Sequence, residues 1–226
     1  MTGPPGAGKS TALIALTARH PRLARFGVRD YGLQLAAAGD PLGLRVRSRL
    51  LRGELLGDAV VRQEFIHFLE RLPGGVEAVA VEGYPRDTGQ CAQFMETVRE
   101  SGVENAGLVV VDVPDDVARS RVAGRRICTD CGRPVADPRQ RCGHCGGPTA
   151  VRGDDARDHL ERRLAEYRGL SAEVQAYFRD RGLLHTIDGQ GDPQRVQEAL
   201  LRTLLSRDTG PVASARDPIG SEEEEE

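Results

Sequence analysis

The sequence predicts an α/β protein, a parallel sheet covered by helices on both faces. Three observations predict it. Short apolar runs at Glu77–Glu82, Leu108–Val113 and Leu183–Ile187 are bounded by Gly or Pro and read as strands buried on both sides. Segments of helical period alternate with them. Near the start, Gly3-Pro4-Pro5-Gly6-Ala7-Gly8-Lys9-Ser10 matches G-x-x-x-x-G-K-[ST], a loop that opens a helix and cradles phosphate.

The helices follow in order. Ser10-Thr11-Ala12-Leu13-Ile14-Ala15-Leu16 carries an apolar stripe that continues to about Arg19. Further helices are expected over Tyr31–Ala38 and Pro41–Arg52. Asp58–Leu72 is amphipathic, with Val61, Phe65, Phe68 and Leu69 on one face. Gln90–Glu100, Asp115–Ala123, Asp155–Arg181 and Pro193–Leu205 complete the set. A phosphate loop normally follows a hydrophobic strand, yet only Met1 and Thr2 precede Gly3. The expectation is a sheet lacking its first strand, with a natural chain that starts upstream.

Lys9 is the only lysine among 31 Lys+Arg residues. Glycines let successive backbone N–H groups turn toward one anion, and the following helix directs its positive end there. An ammonium on a thin stem fits where a planar guanidinium would not. A Gly- and Pro-rich turn matching by chance is the competing reading.

The formal net charge is −3, and five of the acids are the run Glu222–Glu226, so the body is near neutral. That argues against a general nucleic-acid binder. No stretch reaches the ~20 apolar residues of a membrane span, and no signal peptide is evident. A cytoplasmic location is expected, where cysteines ligate metal more readily than they form disulfides. Residues 208–226 have no period and few large apolar side chains, and are expected to be a disordered acidic tail.

Cys128-x-x-Cys131 and Cys142-x-x-Cys145 read as a tetrahedral Cys₄ site, normally zinc, with a structural role because four thiolates leave no open position. A redox pair or unligated thiols is the alternative. His144 is expected to be exposed, and Cys91 to pack a helix. Arginines cluster around this segment. Arg121 and Arg125 lie four apart on one face, and Arg152, Arg157, Arg162 and Arg163 follow.

Together these pieces resemble the adenylate kinase family of nucleoside monophosphate kinases. Gly3 to Thr11 resembles its G-x-P-G-x-G-K-G-T loop. Glu82-Gly83-Tyr84-Pro85-Arg86 with Gln90 resembles D-G-F-P-R-x-x-x-Q. Arg121-Val122-Ala123-Gly124-Arg125-Arg126 resembles R-x-x-G-R-R. The cysteine segment looks like the zinc-bearing lid of some members. Arg152-Gly153-Asp154-Asp155, Arg163 with Tyr167, and Asp188-Gly189 resemble later motifs in the same order.

The resemblance implies a three-layer phosphate-loop sandwich with a five-stranded parallel sheet over residues 1–207. It also implies a helical insertion for the monophosphate nucleotide at about 28–57 and a zinc lid at about 125–153. Gly6, Ala7, Gly8, Lys9, Ser10 and Thr11 would hold ATP phosphates, with Arg125 gripping ATP and Arg121 bridging the transferring group. Gly83, Tyr84, Pro85, Arg86 and Gln90 would hold the monophosphate, and Arg152 and Arg163 would swing in with the lid. Ser10 and Glu82 would support Mg²⁺. The catalytic set is then Lys9, Arg86, Arg121, Arg125, Arg152 and Arg163. The implied reaction is ATP + AMP ⇌ 2 ADP by a monomer acting on ATP and a nucleoside monophosphate.

One stretch departs. The family's T-G-D-x-L-R is Val28-Arg29-Asp30-Tyr31-Gly32-Leu33 here, so the threonine is lost and the phosphate-gripping arginine falls on Leu33. This motivates an alternative, a nucleotide-binding regulatory relative without turnover. A zinc-ribbon nucleic-acid module is a third reading, disfavoured by 4% aromatic content.

Overall fold

A computed structural model describes all residues except 53, 55, 124, 130–133, 136–140, 152–156 and 207–226. Cys131, Arg152, Gly153, Asp154, Asp155 and the acidic tail therefore lie outside the described residues.

The chain opens with the loop and α1 (Lys9–Arg19), then β1 (Leu23–Gly27), α2 (Val28–Ala37), α3 (Pro41–Leu51) and α4 (Asp58–Leu69). There follow β2 (Ala78–Glu82), α5 (Thr88–Glu100), β3 (Leu108–Asp112) and α6 (Asp115–Ala123). Three short strands come next: β4 (Arg126–Cys128), β5 (Pro134–Val135) and β6 (Thr149–Val151). The chain closes with α7 (Arg157–Arg179), β7 (Leu184–Asp188) and α8 (Pro193–Leu205).

The sheet strands form two parallel pairs. β1 runs beside β2 with Leu23 opposite Ala78, and β3 runs beside β7 with Leu108 opposite Leu184. Met1 and Thr2 lie between the pairs. The Met1 amino group donates to the Val81 carbonyl at 2.7 Å. Thr2 forms a parallel bridge with Val110, exchanging bonds with Val109 O at 2.8 Å and Val111 N at 3.0 Å. Only these two residues thus hold the place of the strand expected before the loop.

Strand β3 shows why the sheet is covered twice. Val109 and Val111 join one core with Leu13 and Leu16 of α1 and Leu200 of α8. Leu108 and Val110 face the opposite core, built on Phe26, Phe65, Phe94 and Phe178. Side chains alternate faces along a strand, so a run of apolar residues feeds both layers. Helix α7 contributes to each, through Leu160 and Leu164 to the first and Val174 and Phe178 to the second.

Two findings depart from expectation. β1 is a strand that the periodicity does not announce, because Leu23-Ala24-Arg25-Phe26-Gly27 carries a charge at its centre. And α2 begins at Val28, directly from β1, rather than at Tyr31. The α2–α4 group holds the polar surprise. Glu64 of α4 is completely buried, and neither carboxylate oxygen has a hydrogen-bond partner. Burial alone raises its pKa from 4.5 to about 8, so it is neutral at pH 7. It reaches Gly32 of α2, where a Cβ would collide with both Glu64 and Val46 of α3. The same three elements are joined by Tyr31 Oη, 2.7 Å from His67 Nδ1, whose Nε2 lies 3.6 Å from Asp40, the N-cap of α3.

Candidate active site

The site is built where β1, β2 and the phosphate loop end together. Gly8 caps α1 with φ 85°, and Gly6 has φ 87°, values that side chains rarely adopt. Both turns aim backbone toward the start of α1. The Lys9 ammonium donates back to the carbonyls of Gly3 (2.6 Å) and Pro4 (3.0 Å), spanning the mouth of the loop. Its burial lowers its pKa from 10.5 to about 8. Glu82 opposes that shift, while Arg163, Arg125 and Arg86 add to it. Three of the arginines named from sequence thus lie within electrostatic range of Lys9.

Glu82 ends β2 beside the loop. Its Oε1 accepts from the Ser10 hydroxyl at 2.5 Å, and its Oε2 lies 2.7 Å from Arg25 Nη2. Burial works to raise the Glu82 pKa. Arg25, together with the bonds from Ser10 and Arg25 and the charge of Lys9, outweighs it and holds the carboxylate below its usual range. A serine hydroxyl against an ionised carboxylate is the oxygen donor set that Mg²⁺ prefers, so these residues fit the ion.

Arg25 is the residue that sequence reasoning missed. Its guanidinium also pairs with Asp30 of α2 at 2.7 Å, tying α2 through Glu82 to Ser10 of the loop. The only signal was a charge inside a short apolar run; one partner, Asp30, is five residues on, and the other, Glu82, is distant in the sequence.

The residues after β2 turn sharply, with a cis peptide between Tyr84 and Pro85. The Tyr84 ring is buried against Phe65 and Phe94, so it packs the core. Arg86 is exposed, and its Nε donates to the Gly83 carbonyl at 2.9 Å. Gln90 is buried. Its Oε1 accepts from the Arg86 amide at 2.9 Å and its Nε2 donates to Asp58 at 2.8 Å, so it braces this turn against α4. Arg121 of α6 is exposed and points to the Gln190 carbonyl at 3.5 Å. Val28 sits beside Gly83, and Leu33 supplies no charge.

The second centre lies on β4 and the turn before β6. The sulfurs of Cys128, Cys142 and Cys145 lie within 4.8 Å of one another. Tetrahedral zinc with bonds of ~2.3 Å sets sulfurs about 3.8 Å apart, so three of the four named thiols fit such an ion. His144 is exposed and outside this cluster. Cys91 is buried, and its thiol is pushed up to about 11 by that burial, consistent with packing.

No family model matches the chain. Curated relatives do. An adenylate kinase of Novosphingobium aromaticivorans is 30% identical over 215 residues, covering 92% of this chain and 98% of that protein. The chain belongs to the adenylate kinase family. An adenylate kinase of Syntrophotalea carbinolica is 30% identical over 90% of this chain and 96% of its own length. One from Symbiobacterium thermophilum is 29% identical over 84% and 89%. Membership makes the chain a phosphotransferase of the nucleoside monophosphate kinase class. Among the described residues no helix is long and apolar enough to cross a membrane.

Proposed function

We propose that this adenylate kinase family member transfers the terminal phosphoryl group of ATP to a nucleoside monophosphate, with AMP as the acceptor. The observation that carries the reading is the electrostatic cluster of Lys9 with Arg86, Arg125 and Arg163 above a loop whose Ser10 is held by Glu82. Phosphoryl transfer needs positioning and neutralisation of charge more than covalent chemistry, and this cluster supplies both.

The loop amides from Gly6 to Thr11 hold the donor phosphates, and Lys9 leaves the Gly3 and Pro4 carbonyls to meet them. Ser10 and Glu82 would hold Mg²⁺ bound with ATP, which would neutralise the phosphate oxygens. Arg121 and Arg125, at the end of α6, meet the donor side. Arg86, braced by Gln90, meets the acceptor phosphate, and Gly83 leaves room for it. Arg152 and Arg163 complete the neutralisation when residues 125–153 close over the site and exclude water, which would otherwise be phosphorylated in place of the acceptor. The insertion at 28–57 holds the acceptor, and Cys128, Cys131, Cys142 and Cys145 would hold a zinc ion that would staple the lid.

A second reading, nucleotide binding without turnover, is favoured by one observation. Val28 and Leu33 remove a hydroxyl and a guanidinium from the acceptor insertion. A coupled assay of ADP formation, screening AMP, GMP, CMP and UMP, decides between them. Turnover with AMP above the others supports the first reading. ATP binding without transfer to any monophosphate establishes the second.

A further inference from the structure

Helix α3 carries Arg45, Arg47 and Arg49 and no acidic residue, and Arg52 follows it. Leu44, Arg45, Ser48, Arg49, Arg52 and Val60 line a cleft of about 460 Å³ between α3 and α4. Among the described residues, the only carboxylate bound at its rim is Glu54, held by Arg52. Arg45 reaches the neutral Gln63 at 3.0 Å. Among the described residues, neither Arg47 nor Arg49 forms an ion pair. By contrast, Arg25 is answered by Asp30 and Glu82, Arg62 by Glu96 and Arg119 by Glu161. The α3 cleft, like the separate cluster around Lys9, holds more guanidinium groups than carboxylates. It shares no residue with the cluster around Lys9, and Leu44, 40% exposed, gives it an apolar wall.

The sequence holds one feature of matching chemistry that transfer does not use, the five consecutive glutamates Glu222–Glu226. We infer that this acidic run docks in the α3–α4 cleft, its carboxylates pairing with Arg45, Arg49 and Arg52. The residues from Ser206 to Glu222 span up to about 50 Å when extended, while a body of this size is about 45 Å across. Covalent attachment also sets the local concentration of the run near the millimolar range, so individually weak ion pairs suffice. Occupancy rises at low ionic strength, where the Debye length exceeds the width of the cleft. Because α3 belongs to the acceptor insertion, a docked run ties that insertion to the far end of the chain.

Deuterium exchange on the full-length protein tests this without any reference to turnover. The comparison is the native chain against one with Glu222→Gln through Glu226→Gln, at about 20 mM and about 0.5 M NaCl. Docking predicts that amides in residues 41–60 exchange at least ~3-fold more slowly in the native chain at low salt, with the difference lost at high salt. The change leaves the folded body untouched. Arg45→Gln with Arg49→Gln and Arg52→Gln in the native chain should erase the same difference. Equal exchange over 41–60 in the native and Gln-tailed chains overturns the inference. So does protection that falls instead on α6 and α7 beside Arg121 and Arg163. Tripolyphosphate supplies the other arm. Protection of 41–60 by it in the Gln-tailed chain but not the native one supports an occupied cleft. Equal protection of both shows a site for free anions and refutes docking.

Discussion

Replacing Glu64 with Gln should stabilise the fold in a manner that depends on pH. Glu64 is fully enclosed by α2, α3 and α4, with no donor for either oxygen and a pKa raised to about 8. In the unfolded chain the same carboxyl titrates near 4.5. Between these values the folded state holds a proton that the unfolded state has released, so stability is greatest below pH 4.5 and falls as pH rises toward 8. At ~1.4 kcal/mol per pH unit the penalty is about 3 kcal/mol at pH 7 and about 4–5 kcal/mol above pH 8. Glutamine has nearly the same shape and no such linkage. Glu64→Gln should therefore match the native protein within about 1 kcal/mol at pH 4 and exceed it by about 3 kcal/mol at pH 7. For a chain of this length that is a rise in Tm of about 6–12 °C. Calorimetric melts at pH 4, 5, 6, 7 and 8 measure the gap directly. A gap that stays constant across that range would refute the reasoning, because burial would then not be setting the ionisation of this group.

Lys9→Met should lower transfer by at least about 100-fold with an unchanged melt, since one charge is removed from the transferring group; a native rate in that variant removes the loop from the mechanism. Because burial brings Lys9 down to about 8, its ammonium is lost as pH rises through 8. ATP affinity in the native protein should weaken above that pH and lose this dependence in Lys9→Met, as read by titration calorimetry. Leu33→Arg should return a guanidinium to the acceptor insertion and lower the acceptor KM by about 10-fold or more, with the ATP KM unchanged. Cys128→Ser should cut bound zinc, measured by mass spectrometry of the metal, and lower Tm; full zinc content would overturn the thiolate site.

Chemistry carried by neighbours in sequence is legible in the amino-acid order alone. The loop around Lys9, the turn at Gly83–Arg86 and the paired cysteines each sit within a few residues, and each keeps a recognisable spacing. The strand Leu108–Asp112 is legible because burial on both faces demands an unbroken apolar run. Strand β1 is not, because Arg25 looks like a surface residue until the pairing of β1 with β2 brings Glu82 to it and the turn into α2 brings Asp30. Glu64 is hidden for the opposite reason. A lone carboxylate at the margin of the Val61–Phe68 face carries no local sign of its burial, and only the packing of α2 and α3 shows that this margin is covered. Gln90 is legible as part of its motif, but its bonds to Asp58 and the Arg86 amide depend on α4 and have no local signature. The strands β4, β5 and β6, two or three residues each, are too short to leave a periodic trace.

The tight seat of Gly6 has a mechanical meaning. A Cβ there would strike the Ala118 carbonyl at 2.5 Å and press on Val122, so the phosphate loop packs directly on the backbone of α6 and on the Val122 side chain with no slack. Helix α6 is in effect bolted to the floor of the nucleotide cradle. If the cysteine-bearing segment swings as proposed, the contact at Val122 sets the pivot beyond it, with Arg125 on the moving side and Arg121 on the fixed one.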